Sequence, residues 1–118
     1  MGCAEKRSGD KLRAMTPDEF RTLALGLEGA VEGSHMDHPD FRVGGKIFAS
    51  LSPDLTQGMA KLTPVQQADL RERYPSSFKP ASGKWGDGGA TMIILAEATQ
   101  ETAGEALTLA WQNTAAKK

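Results

Sequence analysis

The sequence predicts an α+β domain, an antiparallel sheet with the N- and C-terminal helices on one face and a short helix between strands. Three observations carry that expectation. Thr16-Pro17-Asp18-Glu19 and Thr63-Pro64-Val65-Gln66 are two helix openings of the same kind. Phe41–Val43 and Lys46–Leu51 are separated by Gly44-Gly45, a pair suited to the positive φ angles of a tight hairpin turn. Ala90–Ala96 is apolar on both parities, as a buried strand is. Strands gathered between helices, rather than alternating with them, argue α+β over α/β.

Taken in order, the first helix starts at Thr16, with Pro17 in its first turn and Glu19 closing a capping box. Phe20, Leu23, Ala24 and Leu27 recur at helical spacing and would face the core, and Gly29 releases the chain. A two-residue turn at Gly44-Gly45 sets Val43 opposite Lys46 and Phe41 opposite Phe48. That register puts Phe41, Val43 and Phe48 on one face and Ile47, Ala49 and Leu51 on the other, so both faces carry apolar side chains. Either the turn is longer, or the outer face is covered or used for binding. Pro53–Gln57 reads as a turn and Gly58–Leu62 as a short strand. The second helix runs from Thr63 to before Pro75, with Val65, Leu70 and Tyr74 on its apolar side. Pro75–Gly89 reads as a loop, extended near Phe78–Pro80. The last helix, from about Gln100, buries Ala103, Ala106, Leu107, Ala110 and Trp111, and Lys117-Lys118 suit its negative end.

With 118 residues, the chain fits one domain able to bury roughly two-thirds of its unfolded surface. Residues 15–118 form that domain and residues 1–14 a flexible tail. The tail holds four basic residues, Lys6, Arg7, Lys11 and Arg13, against Glu5 and Asp10. Its net charge is thus +2, which leaves the remaining chain at −3 within a total of −1. A near-neutral total argues against extensive phosphate tracking but permits a local basic patch. Cys3 is the only cysteine, so the chain has neither an internal disulfide nor a thiolate cluster, which fits a reducing cytosol. Met1-Gly2-Cys3 resembles an acylation signal, but Lys6 occupies the position where Ser or Thr is required. The longest apolar run, Met92–Ala96, is far too short to span a bilayer.

Catalytic signatures are missing. No serine or cysteine stands in a nucleophile motif, and Gly83–Gly89 is glycine-rich but precedes a strand instead of opening a helix. His35, Asp37, His38 and Asp40 have metal-ligand chemistry, yet along a single strand the two rings would point to opposite faces, so no metal and no cofactor are expected. Basic and aromatic groups remain. Arg42, Lys46 and Lys61 lie on or beside strands, with Phe48 available to share their surface, and Lys84-Trp85 sits in the glycine-rich segment. Such groups pair with phosphates and stack on bases; Trp85 can equally pack down as a loop anchor.

His38-Pro39-Asp40-Phe41-Arg42-Val43, followed by Gly45-Lys46-Ile47-Phe48-Ala49, resembles the signature of the MmcQ/YjbR family. Lys61-Leu62-Thr63-Pro64, Trp85-Gly86, Thr91 and Ala110-Trp111 follow in the family's order, so the likeness runs from about Met15 to Lys117. The resemblance implies a CyaY-like (frataxin-like) fold and the role of a DNA-binding protein. Arg42, Lys46 and Lys61 match the family's basic residues, and Trp85 its tryptophan. Iron binding of the frataxin kind does not carry over, because Asp18, Glu19 and Glu28 are the only carboxylates of the first helix region.

The expected function is therefore non-catalytic DNA binding in the cytoplasm. Arg42, Lys46 and Lys61 would hold phosphates, with Lys84, Trp85 and the tail as additions. The alternative is a protein- or small-ligand-binding domain that uses the apolar sheet face bearing Phe48, without nucleic acid.

Overall fold

The computed structural model describes residues 15–35 and 38–115. Helix α1 (Pro17–Leu25) opens with a reciprocal cap: Thr16 Oγ1 accepts from Glu19 N at 3.1 Å, and Glu19 Oε1 accepts from Thr16 N at 2.9 Å. Strands β1 (Val31–His35), β2 (His38–Val43), β3 (Lys46–Leu51) and β4 (Gln57–Lys61) follow. Helix α2 (Pro64–Arg73) repeats the capping box with Thr63 and Gln66. Strand β5 (Phe78–Pro80), the short helix α3 (Gly83–Asp87), strand β6 (Ala90–Ile94), a 3-10 turn at Leu95–Glu97 and helix α4 (Gln100–Ala115) complete the order. The six strands form one antiparallel sheet in the order β1-β2-β3-β4-β6-β5.

The hairpin register resolves the conflict of two apolar faces in a way that neither a longer turn nor a covered face does. Gly44 and Gly45 take φ of 61° and 82°, the pair of positive angles that a tight two-residue turn demands, and Val43 pairs with Lys46 as expected. The register then shifts between Phe41 and Arg42, so that Phe41 pairs with Ala49 and not with Phe48. Phe48 is the extra residue of a β-bulge. The shift turns Ala49 and Leu51 to the side of Phe41, and all of these, with Phe48, are fully buried. Phe48 belongs to the core; it is not the exposed stacking group or binding surface that the unbulged register suggests.

The helices cover this one face. Phe20 of α1 stacks at a tilt on Phe41, with ring centroids 5.9 Å apart, and its ring lies over Gly58 of β4. Helix α4 lies across β2, β3 and β4 and buries Ala103, Ala106, Leu107 and Ala110, small groups that permit a close approach. Trp111 is half-buried, and its Nε1–H donates to the Glu28 carbonyl at 2.9 Å, fastening the end of α4 to the segment after α1. Helix α2 runs antiparallel to α4: Asn113 meets Gln66 at one end and Arg73 meets Glu105 at the other, at 2.8 and 2.6 Å. Its Leu70 enters the same core.

One element lies outside the sequence reading and two others differ from it. Val31–His35 is a strand, although it carries a glycine, a serine and one β-branched residue; as an edge strand it is held by β2 alone. The glycine-rich segment expected as loop contains helix α3. Ala90–Ala96 is a strand only as far as Ile94. It lies inside the sheet between β4 and β5, with Ile93 buried beneath the helices and Met92 and Ile94 half-buried on the opposite face. Among the described residues no helix is long and apolar enough to cross a membrane. The tail, residues 1–14, and Lys117-Lys118 lie outside the described residues.

Gly58 of β4 is in close contact with α1, since a Cβ there would run into the buried Phe20 ring. We expect Gly58→Ala to destabilise the protein by about 1–3 kcal/mol, the range for overpacking a core. Urea unfolding followed by circular dichroism checks this, and Phe20→Leu in the same chain should restore part of the loss.

Candidate phosphate-binding site

At the end of the sheet where β3 begins, β4 ends and β6 begins, the chain forms a cleft of about 460 Å³. Lys46, Lys61 and Lys84 converge on it from β3, β4 and α3, and all three are exposed. Thr63 and Pro64 at the start of α2, Asn113 and Thr114 at the end of α4, and the apolar Ile47, Leu62 and Ala90 also line it. No Asp or Glu is among the described residues that line it. The antiparallel pairing explains the convergence. Ala49 opposite Ala60, and Lys61 opposite Ala90, bring residues distant in sequence to one sheet end.

The rim is held by hydrogen bonds of amide side chains to the backbone and to one another. Asn113 Nδ2 donates to the Lys61 carbonyl at 3.1 Å and to Gln66 Oε1 at 2.8 Å, so the last turn of α4 fixes both the end of β4 and the cap of α2. The buried Gln67 amide donates to the Gly86 and Ala90 carbonyls at 3.1 and 3.0 Å, docking the Lys84-bearing helix onto α2. Gly89, at φ 112°, passes so close to the Leu62 carbonyl that no side chain fits there. The α3–β6 junction is thereby pressed against the β4–α2 junction, with Lys84 and Lys61 on either side.

Arg42 stands apart from the cleft. It lies on the open face of the sheet, where its Nε and Nη2 donate to Asp40 Oδ1 and Oδ2 at 2.8 and 3.1 Å. Asp40 is wholly buried, and its hydrogen bonds and charge raise the Arg42 pKa further above its ordinary value. Gly33, the cross-strand partner of Asp40, makes room for the pair, since a Cβ there would sit 2.9 Å from Asp40 Oδ1 and 3.1 Å from Arg42 Nε. Arg42 is thus a structural partner in this geometry. The i, i+2 spacing of Asp40 and Arg42 on one strand is the signal by which the sequence could have shown it.

Of the remaining candidates, Trp85 has its backbone in α3, and its side chain lies outside the described residues. His35 and His38 belong to two strands, not one, and are partners in the β1–β2 register. Asp37 lies outside the described residues, among which no group of three or more His, Cys, Asp or Glu could hold a metal. Thr63, Asn113 and Thr114 were not legible as site residues; Asn113 reaches the cleft only because α4 packs antiparallel to α2.

A six-stranded antiparallel sheet with its helices on one face and a lysine-lined cleft at one end places the chain among α+β proteins with an open sheet face. More particularly, it belongs to the YjbR family, whose model matches residues 25–113. The crystal structure of protein DR2400 from Deinococcus radiodurans, with a DUF419 domain, resembles it at a TM-score of 0.72 and 21% identity. The likeness covers 88% of this chain and 81% of that one, and at this identity it shows the fold alone. No curated protein matches the chain.

We expect Arg42→Met to lower the urea midpoint markedly, because it leaves the buried Asp40 carboxylate without its guanidinium. Asp40→Ala combined with Arg42→Met should be less destabilising than the sum of the two single changes, and a double-mutant cycle measures the coupling.

Proposed function

We propose that this YjbR-family protein is a non-catalytic DNA-binding module whose grip on phosphates is the cleft of Lys46, Lys61 and Lys84. The observation that carries the reading is the lining: three lysines from three separate elements border one concavity in a chain of net charge −1. A phosphodiester needs cations within hydrogen-bonding reach and supplies binding free energy through counterion release. Lysine serves this as a flexible point charge that selects no base. The cleft offers lysine and hydroxyl side chains, a set suited to holding an anion. The proposal leaves Arg42 to Asp40. It includes Trp85 only as the neighbour of Lys84, where an indole can add stacking on a base. The basic tail can add further phosphate contacts. The helices gathered on one face of the sheet are what a CyaY-like arrangement would show, and we include that kinship in the proposal.

A second reading has its own observation. The open face of the sheet carries half-buried Ile47, Met59, Met92 and Ile94. An apolar partner seated there would make this a protein- or small-ligand-binding domain. Phosphate binding weakens steeply with salt, and apolar contact does not.

Fluorescence anisotropy of a labelled duplex across a salt series separates the two. On the phosphate reading, log affinity falls linearly with log salt, and each of Lys46→Ala, Lys61→Ala and Lys84→Ala lowers the slope by about 0.9. Lys46→Glu with Lys61→Glu should abolish binding at low salt. Unchanged affinity in that double variant would remove the cleft from the interface.

A further inference from the structure

The two edges of the sheet are built differently. Strand β5 is three residues long and carries Lys79 and Pro80, residue types with which natural sheets block an edge. Strand β1 has neither lysine nor proline and pairs with β2 in unbroken register over all five of its residues. Among the described residues it has no second neighbour in the sheet, and its Val31 is 58% exposed. We propose that β1 is the docking edge for a second copy of this chain. The partner adds its own β1 antiparallel, across a two-fold axis at Gly33, and the two sheets become one. This pairing stands apart from the cleft, and either can exist without the other.

The backbone determines which groups are on offer. Val43 and Lys46 close a two-residue hairpin turn and so exchange hydrogen bonds. Along β2 the bonding side alternates: Val43 and Phe41 turn to β3, whereas Arg42 and Asp40 turn to β1. Val31 and Gly33, the partners of Arg42 and Asp40, therefore direct their N–H and C=O groups to β2. Glu32 and Ser34, both exposed, direct theirs outwards. Residues two apart with outward donors and acceptors are what an antiparallel neighbour requires. Two β1 strands centred on Gly33 meet that need for each other, Glu32 bonding Ser34 and Ser34 bonding Glu32.

The side chains favour this register and a second copy as the occupant. Centring on Gly33 is the antiparallel register that pairs all five residues of both strands. At the axis glycine meets glycine, and no side chain holds the strands apart. On the helix side of the sheet Glu32 meets Ser34, a carboxylate opposite a hydroxyl donor, and Arg21 already offsets the Glu32 charge at 2.9 Å. Centring on Glu32 instead would set the two carboxylates face to face, which like-charge repulsion opposes. The edge is thus complementary to itself, as a two-fold interface must be. Five residues of strand span about 17 Å and cover less than the roughly 1,200 Å² of a stable interface, so the dimer exchanges with monomer.

With the full chain, sedimentation velocity from about 10 µM to about 1 mM should show a monomer–dimer equilibrium, the range expected of a small interface. Over the same range, amide hydrogen exchange read by NMR should slow with concentration at Glu32 and Ser34, and not at Val31 and Gly33. Ser34→Glu places carboxylates opposite each other twice in the dimer and should weaken association about tenfold. Ser34→Lys places a cation opposite Glu32 and should tighten it. Ser34→Pro removes an outward N–H without taking a bond from β2, and should abolish dimerisation. A chain that stays monomeric throughout overturns the proposal and leaves the edge to a foreign strand. A dimer unchanged by Ser34→Glu and Ser34→Pro overturns it as well, since the interface then lies elsewhere. Equal weakening by Ser34→Glu and Ser34→Lys rejects the pairing about Gly33.

Discussion

The bulge at Phe48 is the constraint on which the sheet depends. Without it, β3 would divide its apolar residues between two faces, and Ala49 and Leu51 would be presented to solvent. With it, Phe41, Phe48, Ala49 and Leu51 share one core, under the aromatic contact of Phe20 with Phe41. One unpaired backbone position is a small penalty beside the apolar area so removed from water, at about 25 cal/mol per Å². The consequence reaches the open face, which keeps Ile47 from β3 beside Met59, Met92 and Ile94.

Once the core lies on a single side, all three long helices must lie there too, and their mutual contacts shape the cleft. Helix α4 is rich in alanine where it meets β2, β3 and β4, so it can lie close to the sheet and still reach α2. The bonds of Asn113 to Lys61 O and Gln66 Oε1 close one end of the α2–α4 pair, and the Arg73 pair with Glu105 closes the other. The ion pair is exposed and contributes modestly. The amide bonds set positions at the rim: they hold the backbone of Lys61, an exposed residue.

The sheet thus has two polar regions of different kinds. In the Arg42–Asp40 pair, a buried carboxylate is satisfied bidentately, and a glycine on the neighbouring strand leaves space for it. The cleft has three exposed lysines and no carboxylate among the described residues of its lining. Both regions draw on the same basic-residue pattern, and only their neighbours distinguish them.

The sequence by itself determined the α+β class, both proline-containing capping boxes, the glycine hairpin turn and the buried positions of α4, because each follows from local chemistry: a side-chain cap, a positive φ, a helical period. It also named Arg42, Lys46, Lys61, Lys84 and Trp85 as candidates without telling which of them share a surface. Only the tertiary structure decided the bulge, the edge strand β1, the helix within the glycine-rich segment, and the separation of Arg42 from the lysines. These depend on pairing between strands and on which helix covers which face. Strand pairing and burial are non-local, and a register shift of one residue exchanges the two faces of a strand. No local pattern in Lys46–Leu51 tells which of the two apolar sets will meet the helices until Phe20 and α4 are in place.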